Sequence, residues 1–224
     1  MIFRSLYQDK EHNKKPFFIC NFIEQQMSFS FNYKTILLAF ALITSSFTHK
    51  DLNEYGKWLQ FYKLTDEDFI KTGTPQKINT TWQAYDLSNE GQKLYKPLFF
   101  YSDDSTYFLD IDSYSIILDK DAKGNITWGG GDPESKVQLV NNKKQTSIKV
   151  LYFGSYQYPE TAIWRNKYLF EVCCFEEENN IYTPTLFKFN LQTNTLQKFK
   201  NKKTFNQRPK SYLIEERLKN YKQR

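Results

Sequence analysis

From Pro97 to Phe199 short apolar and aromatic runs alternate with polar turn residues, and this rhythm constrains the fold more than any other feature. Such runs, separated by roughly two to five polar residues, are typical of strands joined by hairpins. Connections this short leave no room for the crossover helices of a parallel sheet. The sequence therefore predicts a mainly β fold, an antiparallel meander built as open propeller-like sheets, a sandwich or a barrel, with flanking N-terminal and C-terminal helices.

At least seven strands are expected, most of them paired across a short turn. In the strand near position 150, Ile148, Val150 and Tyr152 are expected to share one face, because side chains alternate along a strand. The expected strands are Leu98 to Ser102, Thr106 to Asp110, Tyr114 to Asp119, Asn125 to Trp128, Lys136 to Val140, Thr146 to Phe153, Thr161 to Arg165, Tyr168 to Phe175, Tyr182 to Asn190 and Thr195 to Phe199.

Helical spacing occurs at both ends of this strand-rich region. Leu52, Tyr55, Leu59 and Tyr62 recur with the period of an amphipathic helix, with Trp58 beside them. A further turn is expected from Asp66 until Gly73-Thr-Pro75 interrupts it, and the stretch through Leu94 has the character of a connector. After Pro209, the stripe Ile214, Leu218 and Tyr221 predicts a short basic helix that covers an edge or end of the sheet.

An apolar run from Thr35 to Ser46 follows Lys34 and has the length of a signal-peptide core. Met27 supplies a better start for it than Met1, and cleavage after Thr48 would place Ser46 and Thr48 at the −3 and −1 positions. An uncleaved anchor is the alternative, although a spanning helix needs roughly 20 apolar residues. The expected organisation is a leader and signal peptide at 1–48, a single mainly β domain with an N-terminal helix at 49–200, and a basic helix or tail at 201–224. The expected location is the periplasm, the cell envelope or the exterior.

Charge is distributed unevenly along the chain. His49 to Gln197 carries 16 Lys and Arg against 20 Asp and Glu, whereas Lys198 to Arg224 carries ten against two. An acidic body argues against a nucleic-acid-binding domain, whose phosphate-binding face should be basic. The basic segment is either a solvated stretch of the chain or a contact for an anionic membrane surface.

Histidine and cysteine are scarce, and this excludes several classes of chemistry. The two histidines, His12 and His49, lie before the predicted domain or at its start, so no internal histidine can act as a base, a triad member or a metal ligand. The adjacent pair Cys173-Cys174 lies in a predicted strand, where neighbours point to opposite faces. Cys174 is therefore expected on the face of Phe170 and Val172 as a small core residue, and no cofactor is expected.

Acidic and aromatic residues are the candidates for ligand binding. Asp110 and Asp112 lie two apart and could together face a hard cation, but the loop Asp119 to Gly124 has Lys123 at a ligand position, so no metal site is predicted. Trp82, Trp128 and Trp164 offer rings that could stack on sugars. The predicted ligand-binding residues are Asp103, Asp110, Asp112, Trp128 and Trp164, and no catalytic residue is predicted.

The segment Glu160 to Phe199 resembles one blade of a β-propeller, with a hairpin at Asn166-Lys167 and a following pair, LFKFNLQTNTLQKF, similar to a hairpin frequent in those repeats. A closed propeller needs at least four blades of about 40 residues, which the strand-rich region is too short to supply. The chain also resembles uncharacterised exported β-rich proteins in Lys96 to Tyr114 and Thr161 to Trp164. That resemblance implies no activity.

These observations favour an exported, non-catalytic binding or envelope-associated protein of unknown ligand. Its partner would be an envelope protein, a glycan or an anionic membrane surface, and not a nucleic acid. The alternative is a glycan hydrolase that depends on a pair of carboxylates. Two carboxylates that face each other in an aromatic cleft would favour the hydrolase, and acids scattered at turns would favour the binding protein.

Overall fold

Two five-stranded antiparallel sheets packed face to face form the body of the protein. The structure, a computed structural model, describes residues 52–224, so the expected signal segment at Thr35 to Ser46 and the start at Met27 lie outside the described residues. Strands make up 47% of it and helices 16%. The prediction of a mainly β, antiparallel fold is confirmed.

The helical elements are short and flank the strands. They are α1, Glu54–Tyr62; a 3-10 turn, Asp66–Asp68; α2, Asn89–Tyr95; a 3-10 turn, Lys96–Leu98; and a π-helical turn, Leu213–Arg217. The strands are β1, Phe69–Lys77; β2, Gln83–Ala84; β3, Phe100–Tyr101; β4, Tyr107–Asp110; β5, Ile116–Lys120; β6, Ile126–Gly130; β7, Ser135–Asn141; β8, Thr146–Phe153; β9, Gln157–Asn166; β10, Leu169–Glu178; β11, Ile181–Asn190; β12, Thr195–Asn201; and β13, Lys222–Gln223.

The strand order shows how the chain builds its sheets. The first sheet has the order β1-β12-β11-β10-β9, so β9 to β12 form a meander in chain order and β1 joins at its far edge. The second sheet has the order β2-β8-β7-β4-β3, and the hairpin of β5 and β6 is inserted between β4 and β7. The terminal strand β13 pairs with β6 in parallel, whereas the other strand pairs in the described residues are antiparallel.

The central core lies between the two large sheets. Alternation in β10 sends Phe170, Val172 and Cys174 into this layer, where they meet residues of the second sheet such as Leu139 and Ile148. Cys173 points the other way, so the predicted facing of the cysteine pair is confirmed. Phe187 and Phe189 of β11 enter the central core, while Leu186 lies on the opposite face of the sheet, in the layer under α1.

Each sheet is covered on its outer face by a second apolar layer. Helix α1 covers the first sheet with Tyr55, Trp58 and Tyr62, which pack around Phe175. Asn53 caps this helix, since its side chain accepts the backbone N–H of Gly56. Helix α2 and the hairpin of β5 and β6 cover the second sheet. Together with side chains of that sheet and of the C-terminal segment they form a cluster of Tyr95, Leu98, Phe99, Phe108, Ile116, Leu118, Trp128, Val140, Leu213 and Leu218.

The basic C-terminal segment is folded onto the body and belongs to the same compact unit. Tyr212 enters the layer under α1, and Leu213 and Leu218 enter the layer under α2, so the segment connects the two outer layers. The predicted helix with Ile214 in its stripe is replaced by one π-helical turn with Ile214 exposed. The reason is that two separate clusters, not one flat face, receive its apolar side chains.

A β-bulge in strand β8 makes the predicted facing of its side chains wrong beyond Val150. The pairing with β7 slips at Val150, so that Val137 faces Leu151 while Gln138 faces Lys149. Beyond the bulge the alternation changes phase. Val150 and Phe153 are buried, and Tyr152, which was expected beside Ile148 and Val150, is 47% exposed.

Two elements lie in the stretch with the character of a connector. Strand β1 is polar and mostly exposed because it is an edge strand with a single neighbour, β12. It continues through Gly73-Thr-Pro75, where the pairing with β12 is irregular between Thr72 and Gln76 and Gly73 has a positive φ of 67°. Helix α2 follows the N-cap Ser88 and has only seven residues, too few for a clear apolar period.

Candidate functional site

The residues predicted to bind a ligand do not lie together. Asp103 is exposed in the turn between β3 and β4. Trp128 is buried in the layer under α2. Trp164 packs against the central core, and its indole N–H donates to the Phe100 carbonyl at 2.9 Å.

Asp112 forms a buried ion pair with Arg217 of the C-terminal segment. The two guanidinium nitrogens lie 2.5 and 3.1 Å from its carboxylate oxygens, and both side chains are less than a tenth exposed. Burial raises the pKa of Asp112, and the neighbouring guanidinium opposes this effect. Arg217 also donates to the carbonyls of Leu98 and Glu160, so the pair anchors the terminal segment to the sandwich.

Asp110 closes the turn after β4. Its carboxylate accepts the Tyr85 hydroxyl at 2.6 Å, the Ser113 hydroxyl, and the backbone N–H groups of Asp112 and Ser113. Burial and the charge of Asp110 raise the pKa of Tyr85. Both aspartates are thus bound within the protein, and the described residues contain no group of three or more His, Cys, Asp or Glu placed to hold a metal ion.

The three buried glutamates are bound internally as well. Glu160 accepts the Leu213 N–H at 2.8 Å, and burial raises its pKa to about 7. Glu171 pairs with Arg165 at 2.5 Å and with Lys188 at 3.0 Å. Glu176 pairs with Lys198 at 2.5 Å and with Lys200 at 3.2 Å. Hydrogen bonds or ion pairs thus satisfy all three carboxylates, as the burial of such groups requires.

The cysteine pair is fully buried, and both thiols are free. Burial raises the pKa of Cys173 and of Cys174, so neither thiol is disposed to form the thiolate that redox and metal chemistry require. The pair acts as small apolar side chains on the two faces of β10.

An opening that exposes ring faces lies at one end of the sandwich, where the turns β9–β10 and β11–β12 meet the segment between β1 and β2. We call it the aromatic cleft, and its volume is about 300 Å³. Trp82 is 41% exposed there and Tyr168 is 37% exposed. The lining residues are Thr80, Trp82, Tyr107, Ile148, Tyr168, Leu191, Gln192 and Asn194.

Local hydrogen bonds hold Trp82 at this opening. Ile78 packs against the central core, and its N–H donates to the Asn194 carbonyl at 3.0 Å. The next turn is tightened by Asn79, whose side chain accepts both the N–H and the hydroxyl of Thr81. The segment that carries Trp82 is therefore tied to the β11–β12 turn.

The aromatic rings of the cleft form a row that continues into the core. Trp82 and Tyr107 have ring centroids 6.1 Å apart at an interplanar angle of 31°. Tyr107 and Trp164 follow at 6.5 Å and 22°. Trp164, a predicted site residue, thus supports the cleft from the core side, and the exposed ring is that of Trp82.

The other wall is set by two turns. The Leu191 N–H donates to the Tyr168 carbonyl at 2.8 Å, which joins the β9–β10 turn to the β11–β12 turn. The Lys167 ammonium lies 4.6 Å from the centre of the Tyr168 ring and covers one of its faces. Gln192 and Asn194 add side-chain amides, and Thr80 adds a hydroxyl.

The chemistry of the cleft is set by uncharged lining residues, with the positive charge of the Lys167 ammonium beside them on the Tyr168 ring. None of its lining residues carries a charge, and exposed rings beside amides and hydroxyls suit a ligand with both apolar faces and hydroxyl groups. The sequence offers Trp82, Trp128 and Trp164 as stacking residues, and the prediction selects Trp128 and Trp164 but not Trp82. Their burial depends on contacts between distant elements.

A larger concavity of about 680 Å³ lies beside α2 and mixes Glu90, Lys93 and Lys96 with aromatic residues. Two of the rings that line it pack against each other and are not available to a ligand. Phe99 and Phe108 stack on each other at 4.4 Å and are both buried. This surface therefore offers a charged rim and few free ring faces.

Comparison of the chain with protein-family models, curated proteins and solved structures finds no match. No helix within residues 52–224 is long and apolar enough to cross a membrane.

Proposed function

We propose that the protein is an exported, non-catalytic binding protein whose aromatic cleft binds a neutral glycan. The observation that carries the proposal is the exposed ring of Trp82, which lies beside Tyr107 and opposite Tyr168 in an opening lined by amides and hydroxyls and by no charged residue. The exported location rests on the apolar run Thr35 to Ser46.

A pyranose ring matches this lining in two respects. Its C–H faces are apolar and pack on an indole or phenol ring, which removes apolar surface from water. Its equatorial hydroxyls project sideways, where Gln192, Asn194 and Thr80 can donate and accept hydrogen bonds. A charged ligand would find no opposite charge among the lining residues.

The placement of carboxylates favours binding over hydrolysis. A retaining glycosidase needs two carboxyl groups about 5–5.5 Å apart, and an inverting enzyme needs about 6.5–9.5 Å, with the sugar between them. The aromatic cleft is lined by no Asp or Glu. The buried acids Asp110, Asp112, Glu160, Glu171 and Glu176 each have a hydrogen-bonding or ion-pair partner elsewhere in the described residues.

The test is a titration of the full chain with neutral oligosaccharides: cello-, xylo-, malto- and chito-oligomers. Tryptophan emission should shift to the blue on binding, because Trp82 is the exposed tryptophan and would lose contact with water. In calorimetric titration, which does not depend on the emission of Trp82, Trp82→Ala and Tyr168→Ala should each weaken binding by about two- to tenfold, the size expected for the loss of a stacking ring.

Tyr156→Ala is the matched control, because Tyr156 is 66% exposed and does not line the cleft. It should leave the affinity unchanged. Failure of every oligosaccharide to bind, or an unchanged affinity in Trp82→Ala, would overturn the proposal. Cleavage of a bound oligosaccharide would favour the hydrolase.

A further inference from the structure

A second opening lies at the other end of the strands that form the aromatic cleft. It has a volume of about 700 Å³ and lies between the irregular part of the edge strand β1 and the part of β8 that follows its bulge. We call it the lysine cleft. It is lined by Thr72, Gly73, Thr74, Gln76, Leu151, Tyr152, Phe153, Gln157, Glu176, Phe187, Leu196, Lys198 and Lys200.

The lysine cleft combines an apolar floor with charged walls. Phe153, Phe187 and Leu196 belong to the central core and form the floor. Tyr152, turned outward by the bulge, stands at the rim. The Lys198 ammonium lies 5.7 Å from the centre of the Phe187 ring, so positive charge is placed next to the apolar floor.

The charges of this cleft do not balance. Glu176 is nearly buried. Its carboxylate oxygens lie 2.5 Å from the Lys198 ammonium and 3.2 Å from the Lys200 ammonium, and they accept a hydrogen bond from the Gln157 amide at 2.6 Å. One lysine with the amide would satisfy this carboxylate, but two lysines leave a net charge of one positive unit. An ammonium has three N–H donors, and the contacts with Glu176 use one on each lysine.

The remaining donors of the two lysines face a solvent-accessible space. The Lys198 and Lys200 side chains are 32% and 35% exposed, against 9% for Glu176. No second carboxylate lines the cleft. The excess positive charge and the free donors thus converge above an apolar floor.

We propose that the lysine cleft binds a small amphipathic acid, whose carboxylate contacts Lys198 and Lys200 and whose apolar body packs on Leu151 and Tyr152, the apolar lining residues that reach the surface. A carboxylate would supply the missing negative charge through charge-assisted hydrogen bonds. The apolar body would remove part of the Leu151 and Tyr152 side chains from water, above the buried floor. This site is separate from the aromatic cleft and does not depend on the glycan proposal.

The experiment compares three probes of equal chain length on the full-length protein by calorimetric titration: octanoate, octanol and octylamine. Octanoate should bind about tenfold more tightly than octanol, because charge-assisted hydrogen bonds add to the same apolar contact. Octylamine should bind more weakly than octanol, because the net positive charge repels it. Raising the salt concentration should lower the affinity for octanoate and leave the affinity for octanol unchanged.

Lys200→Met tests the role of the lysine with the side-chain stem retained. The variant should bind octanoate about fivefold more weakly or worse and should bind octanol with unchanged affinity. The Glu176 carboxylate keeps Lys198 and Gln157 as partners. Lys202→Met is the matched control, since Lys202 lies two residues further along, is 59% exposed and pairs with Asp68 outside the cleft. It removes the same charge and should not change either affinity.

Glu176→Gln distinguishes a binding role of the lysines from a purely structural one. It removes the internal competitor for Lys198 and Lys200, so octanoate should bind several-fold more tightly even where the protein is less stable. Equal affinities for octanoate and octanol, binding of neither, or an equal loss in Lys200→Met and Lys202→Met would overturn the proposal.

Discussion

Arg217→Met should destabilise the protein strongly, because it leaves a carboxylate buried without its partner. Arg217 makes four hydrogen bonds, two to Asp112 and one each to the carbonyls of Leu98 and Glu160. Methionine keeps an apolar stem of similar length but loses the guanidinium, whose carbon lies 4.6 Å from the centre of the Phe100 ring. Removal of one member of a buried ion pair costs about 3–5 kcal/mol. With a urea m-value of about 2 kcal/mol/M, the unfolding midpoint should fall by about 2 M.

The direction in which the stability of Arg217→Met changes with pH shows whether the buried charge of Asp112 causes the loss. Without Arg217, burial and the charge of Asp110 both raise the pKa of Asp112 with nothing to oppose them, so its folded-state pKa lies further above the unfolded value of about 3.9. The variant should therefore be least impaired below about pH 4, where Asp112 is protonated in both states, and should lose stability as the pH rises through the folded-state pKa.

The measurement is urea unfolding followed by tryptophan fluorescence at pH 5 and pH 7. The double variant Asp112→Asn/Arg217→Met should recover about half of the loss, because the buried charge is gone while the carbonyls of Leu98 and Glu160 still lack a donor. A deficit below about 1 kcal/mol, equal at both pH values, would refute the reasoning that the pair is charged and buried.

Two further predictions concern the glutamate under the terminal segment and the bulge. Burial raises the pKa of Glu160 to about 7, above the unfolded value of about 4.3, so its contribution to stability is full below about pH 4 and lost as the pH rises through about 7. Unfolding midpoints from pH 5 to pH 8 should fall less in Glu160→Gln than in wild type, and parallel profiles would contradict this. Phe153→Ala should cost about 3–5 kcal/mol and Tyr152→Ala less than about 1 kcal/mol in urea unfolding, because the bulge buries Phe153 and exposes Tyr152. The reverse order would mean that β8 lacks the bulge.

Local pattern was sufficient for most of the fold. The hairpins from Pro97 to Phe199 are read correctly because each strand is short, alternates in polarity and is bounded by turn residues. The facing of Cys173 and Cys174 follows from strand geometry, since the extra residue at the irregularity in the β9–β10 pairing, Glu160, lies on β9 and β10 keeps its alternation. Helix α1 follows from the predicted period of Leu52, Tyr55, Leu59 and Tyr62 with Trp58 beside it. Tyr55, Trp58 and Tyr62 pack on the first sheet, whereas Leu52 precedes the helix and is 43% exposed.

The residues of the candidate sites were harder to predict from the sequence than the strands. Asp112 looks like a free acid until Arg217, more than a hundred residues later, is placed against it. Trp82, Trp128 and Trp164 have similar local surroundings, yet Trp82 is exposed while Trp128 is buried beneath α2. No local pattern distinguishes these cases, because side-chain exposure depends on which distant element covers it.

The amino-acid sequence by itself determined the strands from β3 to β12, their hairpin order and the polarity of most faces, because hydrogen bonding and side-chain alternation act between near neighbours. Only the tertiary structure decided that β1 joins the far edge of the first sheet, that the basic terminal segment connects the two outer layers, and that openings remain at both ends of the sandwich. These features depend on contacts between residues far apart in the chain. Their stability comes from shared burial and ion pairing, which no single segment encodes.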